Sequence, residues 1–329
     1  MGKRKVVIRV VVLLFMTLTA AGAGVYFGVL NPMFHEINKD SPQEVLDQPK
    51  EEKMPLKFNI LIIGTDKGKA LTDVMMLASV DSETHKIHLI SLMRDTRVKV
   101  ESYFTKLNSV YRHDKLDGLI GAVKELTGSP VNYYIMMDFE GFRNIIDTLG
   151  GVEFNVPQRM KYTDRVQGLK IDLQPGMQVL DGNKAEQLVR FRRYIEGDVQ
   201  RTRVQQDFVK ALFEQKKDAS YLLKAPELFQ ELSKSCKTNI TLNILLKNIN
   251  EINNMSQYDL ETHKMPGEGT YVGDVSYFLP YLDESYPVFQ NYFLGTGEPS
   301  SKKYTDMTGA KWPKGWSHNT KEETTSKKS

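Results

Sequence analysis

Residues 190–206 read Arg-Phe-Arg-Arg-Tyr-Ile-Glu-Gly-Asp-Val-Gln-Arg-Thr-Arg-Val-Gln-Gln and carry five arginines: Arg190, Arg192, Arg193, Arg201 and Arg203. Among them stand one glutamate, Glu196, and one aspartate, Asp198. Guanidinium groups are planar, permanently charged and able to hold phosphate oxygens through two donors at once. The segment lies between two runs with helical apolar spacing, Ala185/Leu188/Val189 and Phe208/Val209/Leu212/Phe213. Five cations at such a junction suit a phosphate site. Taken alone, they suit a solvated, salt-bridged helix face equally well.

Upstream residues break the tie. Asp66 ends the apolar run 58–64, and Asp73 opens the next one, 74–80. A strand, a turn and a strand bring two such carboxylates together, and paired carboxylates are costly unless a cation neutralises them. Oxygen ligands of this kind suit Mg²⁺ or Mn²⁺, which bind through one or two carboxylates plus substrate phosphates. On spacing alone, two ordinary turn aspartates explain the pattern as well. Arg94 and Asp95 follow a third apolar run, 86–92, and Lys106 and Asn108 add a cation and an amide. Acids for a cation, with arginines as anion donors, complement a metal-bound pyrophosphate. Other chemistries lack their motifs: there is no Gly-x-Ser-x-Gly elbow, Walker loop, His-Glu-x-x-His or Cys-x-x-Cys. The six histidines are scattered along the chain without metal-ligand spacing.

The elements that must position these residues follow from periodicity. Strands are expected at 58–64, 74–80, 86–92, 131–137, 152–156, 169–173 and 258–264. Helices are expected at 116–126, 139–149, 181–190, 198–216, 222–232, 242–252 and 275–282. The lone Cys236 falls in a polar, helical-looking stretch, reads as a half-buried filler and cannot form an internal disulfide. Alternation of strands with helices predicts an α/β fold, a central mixed β-sheet flanked by helices.

Composition is that of a globular protein: 40% hydrophobic and 26% charged over 329 residues. A net charge of +3 is too mild to call for nucleic acid as a partner. Residues 1–9 are basic, and residues 10–30 contain no charge, which is long enough for one transmembrane helix. A cleaved signal peptide is the competing reading of the small residues at 20–24, but the apolar run continues to Leu30. The expectation is an uncleaved anchor in the cell membrane, N-terminus cytoplasmic and the remainder extracytoplasmic. A linker at 31–57, a folded domain at 58–295 and a polar, disordered tail at 296–329 complete the division.

In this order the motifs resemble those of the LytR-CpsA-Psr (LCP) family of bacterial envelope phosphotransferases. The similarity runs through 59–66, 72–80, 91–96, 106–108, 138–152, 180–192 and 198–206, and more weakly to about 294. The resemblance implies an α-β-α fold with an apolar tunnel for a lipid chain. It also implies transfer of a glycopolymer from an undecaprenyl-pyrophosphate carrier to peptidoglycan, as a phosphodiester. By the same resemblance, Asp66 and Asp73 match metal-associated aspartates, and Arg94 with Asp95 the Pro-Arg-Asp motif. Arg190 and Arg192 match paired arginines, and Asp198, Arg201 and Gln205 the Asp-x-x-Arg-x-x-Arg-Gln motif.

Three positions depart from the pattern. Leu71 or Thr72 stands where an arginine is usual, Met93 replaces the proline, and Val204 replaces the second arginine of the last motif. Arg203 stands one place early, and one residue of helix is a rotation of about 100°. The alternatives to an active enzyme are a catalytically impaired binder of polyprenyl phosphate or wall polymer, and an envelope-related transcriptional attenuator.

Overall fold

The computed structural model describes residues 56–66, 69–100, 103–165, 168–218, 236–241 and 254–293, together with 244, 248 and 252. The expected anchor, the linker up to residue 55, the tail and the expected helices at 222–232 and 242–252 lie outside the described residues, apart from 244, 248 and 252.

A six-stranded mixed sheet organises the described chain. Its strands are β1 (Lys57–Asp66), β2 (Lys69–Asp81), β3 (Lys86–Ser91), β6 (Tyr133–Asp138), β11 (Cys236–Thr238) and β12 (Asp259–His263). The order is β11-β6-β1-β2-β3-β12. β1 pairs parallel with β6, β3 pairs parallel with β12, and the other neighbours are antiparallel. The two parallel pairings require long crossovers, which supply the helices.

Period-two burial decides which side chains reach which face. Leu61, Ile63, Met75, Leu77 and Ile90 pack with α1 (Leu107–Thr127) and with Phe289 of α5 (Leu282–Tyr292) in one apolar cluster. Phe58, Met76, Ala78, Leu89 and Tyr133 face the other way, against Val209 and Phe213 of α4 (Gly197–Lys216). Helices on both faces of a mixed sheet realise the expected α/β architecture.

A third apolar cluster lies beside the sheet. It joins α2 (Phe139–Thr148), α3 (Gly182–Arg190) and α4 to two ribbons: β7 (Val152–Val156) with β10 (Gly176–Leu180), and β8 (Met160–Asp164) with β9 (Leu169–Leu173). Asp138 and Asp181 cap α2 and α3, their carboxylates accepting from Gly141 N and Lys184 N. α4 is shared: Val204 and Phe208 enter this cluster while Val209 and Phe213 enter the sheet cluster.

Several expectations need correction. Residues 275–282 are not a helix: β14 (Val275–Pro280) pairs antiparallel with β13 (Gly267–Val272), and the helix starts only at Leu282. The run Val-Ser-Tyr-Phe-Leu carries β-branched and aromatic residues that favour a pleated surface. Cys236 lies in strand β11, not in a helix, and is buried at 6% exposure. Burial pushes its thiol up to about 12. α1 begins nine residues before the expected 116 because it is kinked at Lys115 (φ +58°), which breaks the apolar periodicity. The hairpin β4 (Arg97–Val100) with β5 (Tyr103–Lys106) was too short and too polar to stand out.

Candidate active site

The site forms where β1, β2 and β3 end and α4 begins. β1 and β2 are in register as far as Gly64 opposite Val74, but Thr65 then pairs with Thr72, leaving Asp73 as an extra residue on its strand. A bulge of this kind re-aims a side chain out of the ladder. Asp73 Oδ1 accepts from Arg94 Nη1 at 3.2 Å and from Arg192 Nη2 at 3.1 Å. Asp66 closes β1, its backbone paired with Lys69.

Arg94 and Asp95 occupy the turn that leaves β3. Thr96 holds that turn, its N–H and Oγ1 both donating to Met93 O. Hairpin β4–β5 then carries the chain out and back, so that Lys106 Nζ lies 2.9 Å from Asp95 Oδ1. Asn108 N donates to Arg94 O at 3.0 Å and closes the loop. The buried Asn108 side chain accepts from Ser109 Oγ through its own Oδ1.

The first turns of α4 supply the facing wall. Arg201 is only 5% exposed, and its Nη2 donates to Asp198 Oδ2 at 2.7 Å. Burial pulls its pKa down to about 10, with Asp198 opposing and Arg94 and Arg192 assisting, so the guanidinium is still a cation at neutral pH. Arg94 Nε lies 3.4 Å from both Asp95 Oδ2 and Asp198 Oδ2 but is aligned with neither. The Nε–H groups of Arg94 and Arg201 are buried and make no aligned hydrogen bond among the described residues. A buried donor without a partner is rare and costs about 1–3 kcal/mol. Two of them in one cluster, both on cations, fit an anionic ligand.

Arg94, Arg192, Arg201 and Lys106 against Asp73, Asp95 and Asp198 leave a single net positive charge, four cations less three carboxylates. Beside the cluster, Gln205 Nε2 donates to Val189 O at 2.8 Å, and both residues also line a cavity of about 100 Å³. Its walls are Ile62, Val74, Met76, Phe142 and Val209 among others, and its exposed lining is apolar.

Not every expected site residue joins the cluster. Arg190 turns to Glu186, one helical turn earlier, at 2.7 Å, and packs over the Phe139 ring at 4.4 Å. It also lines a recess of about 210 Å³ with Arg192, Arg193 and Tyr162. Arg193 lies over the Tyr162 ring and Arg203 pairs with Glu196 at 3.2 Å. The departures have structural roles. Thr72 is fully buried with Oγ1 on Met75 Sδ, Val204 is core, and Met93 Sδ accepts from Thr202 Oγ1 at 3.5 Å. Sequence reading missed Glu186 and Arg143, which form a second arginine–carboxylate group with Arg190. The i, i+4 spacing of Glu186 and Arg190 was the available signal.

Known proteins show the same organisation. The sequence profile of the LytR_cpsA_psr family matches residues 30–290. The polyisoprenyl-teichoic acid–peptidoglycan teichoic acid transferase TagV of Bacillus subtilis is 26% identical over 250 residues, 72% of this chain and 63% of TagV. An uncharacterized Staphylococcus aureus protein is 23% identical over 67% of this chain and 54% of its own length. This chain thus spans little more than half to just under two thirds of these two relatives. The crystal structure of B. subtilis TagV superposes with a TM-score of 0.63 at 25% identity, covering 72% of this chain and 98% of that one. TagT bound to LIIa-WTA gives 0.63 at 20% identity over 77% and 95%. With the family profile covering most of the chain and the fold shared, this protein belongs to the LytR_cpsA_psr family.

Proposed function

We propose that this chain is a membrane-anchored, extracytoplasmic phosphotransferase that moves a glycopolymer from an undecaprenyl-pyrophosphate carrier to peptidoglycan. The observation that carries the reading is the pair of buried Nε–H groups on Arg94 and Arg201 that make no aligned hydrogen bond among the described residues, inside a cluster that also holds Arg192 and Lys106. The family and the names of its relatives supply the substrate class. The apolar cavity behind Gln205 adds room for the start of a polyprenyl chain next to the charged groups that would hold its pyrophosphate.

In this reading the pyrophosphate lies among Arg94, Arg192 and Arg201. A sugar hydroxyl of peptidoglycan attacks the phosphorus that bears the glycopolymer. The new P–O bond forms as the bridging P–O bond breaks, and undecaprenyl phosphate leaves. The hydroxyl proton passes to a carboxylate of the cluster. Asp95 and Asp198 both stand beside Arg94 and keep it oriented. Guanidinium groups fixed before the reaction neutralise charge as it develops, and that positioning supplies most of the acceleration in phosphoryl transfer.

A Mg²⁺ or Mn²⁺ ion is part of the same proposal. Asp73 receives both arginines on Oδ1, so its other oxygen suits a hard cation, and Asp66, the last residue of β1, is the second acid expected from the sequence. Bound there, the ion would offset phosphate charge beyond the single net positive charge that the arginine cluster supplies.

The test is a lipid-linked donor incubated with peptidoglycan and the full-length chain. Transfer should be seen with the unaltered protein and lost in Arg94→Ala with little change in melting temperature. Donor binding without any transfer by the unaltered protein would favour the binder reading instead. Val74→Phe, which fills the cavity, should weaken the polyprenyl donor about tenfold while leaving a short-chain analogue unaffected, a loss of about 1.4 kcal/mol, in the range of small changes of fit in an apolar pocket. A reporter fused after Ser329 should be accessible only from outside the cell, and a cytoplasmic reporter would overturn the assigned location.

A further inference from the structure

We propose that His88, Glu261 and His263 form a binding site for one divalent transition-metal ion, Zn²⁺ being the best match, at the sheet edge where β12 joins β3. Strand register creates it. β3 and β12 run parallel with Glu261 opposite His88, and His263 lies two residues beyond Glu261 on the same face. One ligand atom from each of the three residues lies within 4.8 Å of the other two. No such group is visible in sequence, because His88 stands 175 residues before His263.

The chemistry is that of a borderline ion. Two imidazoles with one carboxylate and an open fourth position suit Zn²⁺, whereas Mg²⁺ and Ca²⁺ take oxygen ligands. His88 Nδ1 lies 2.9 Å from His263 Nε2 and 3.6 Å from Glu261 Oε2. Around a tetrahedral zinc, ligand atoms stand roughly 3.3 Å apart, given metal–ligand distances of about 2.0–2.1 Å. The two nitrogens need only open by a few tenths of an ångström. Lys86 Nζ holds Glu261 Oε1 at 2.6 Å, and Oε2 is the oxygen nearer His88.

The rings are also held for the purpose. Tyr292 stacks on His263 with centroids 4.4 Å apart and 26° between planes, and it packs on His88 at 4.7 Å. A bound ion would clip the edge strand to its neighbour. Beyond β12 the chain continues through Pro266 into β13–β14, where Phe278 N donates to Asp95 O. Gln206 Nε2 of α4 donates to His263 O. The clip therefore stands behind two walls of the arginine cluster, and it holds whether or not that cluster transfers phosphate.

The experiment uses the full-length chain in detergent, stripped with chelator and titrated calorimetrically with Zn²⁺ in excess Mg²⁺. Co²⁺ serves as the spectroscopic probe. Expected are one saturable equivalent of Zn²⁺, Co²⁺ absorption of a four-coordinate site, and a melting temperature that rises on Zn²⁺ addition. Glu261→Gln and His263→Gln, at partly exposed positions, should each lose that equivalent and the zinc-dependent rise. His113→Gln, at an exposed histidine elsewhere, should keep both. His88→Ala is a poorer probe because it empties a buried position. Absence of saturable binding in the unaltered chain, or an equivalent that survives both variants, would overturn the proposal.

Discussion

Two arginine–carboxylate groups both draw on the segment from Glu186 to Arg201, and they spend their charge differently. Around Glu186, Arg143 and Arg190 both turn to one carboxylate, which is itself 11% exposed, and Arg190 adds the Phe139 ring. Around Asp73 and Asp198, three arginines share two carboxylates and still leave two buried Nε–H groups without an aligned hydrogen bond among the described residues. The first group ties α2 to α3 and is complete in itself. The second is incomplete, and what would complete it is an anion. Buried donors left unmade cost stability, which is what the proposed binding of an anion at this cluster would offset.

Arg201→Lys breaks the comparison most severely. A lysine keeps the charge but loses the planar fork and cannot supply several fixed donors. Removing one preorganised donor from a developing anion costs on the order of 10²–10³ in rate, and a loss of that size in kcat is expected for polymer transfer. Retention of near-normal transfer would place Arg201 with the structural arginines. Next in size comes Glu186→Gln. It leaves Arg143 and Arg190 facing a neutral amide and should lower unfolding stability by about 2–3 kcal/mol, below the usual cost of breaking a fully buried pair because Arg143 is partly exposed. Transfer per folded molecule should stay within a few-fold. A chemical-denaturation curve paired with the transfer assay separates the two outcomes.

The contrast also explains what could be read from sequence. The strand-end acids, Arg94 and the segment 190–206 were legible because each lies next to a strongly periodic element, and order along the chain survives folding. Which arginines converge was not legible. Arg190 and Arg192 are two residues apart, yet one ends α3 and turns back along it while the other lies beyond the helix and reaches Asp73. That choice depends on where the chain leaves its helix, which periodicity locates only to a few residues. The β-bulge that aims Asp73 is a pairing irregularity between two strands and has no single-strand signature. Likewise the expected helix at 275–282 became β14, because its partner β13 contains Gly267 and Gly269 and gave no strand pattern of its own. Segments with strong local periodicity were read well, and those defined by a distant partner were not.

The smallest effect falls on Arg203, one of the arginines that belong to neither group. Arg203 pairs with Glu196 at 3.2 Å, and both side chains are more than two-fifths exposed. Exposed pairs of this kind contribute about 0.2–1 kcal/mol, weakened further by salt. Arg203→Gln should therefore move stability by about half a kcal/mol or less and leave transfer unchanged. The neighbouring position sharpens the point. Val204 is buried among Phe208, Leu188 and Phe191, so the arginine usual at that position would have to enter an apolar cluster here. Arg203 cannot make up for it, since about 100° of helix rotation turns it toward Glu196 and solvent. A large loss of transfer in Arg203→Gln would mean that α4 rotates when donor binds, and the division between the complete and incomplete arginine groups would then hold only for the empty protein.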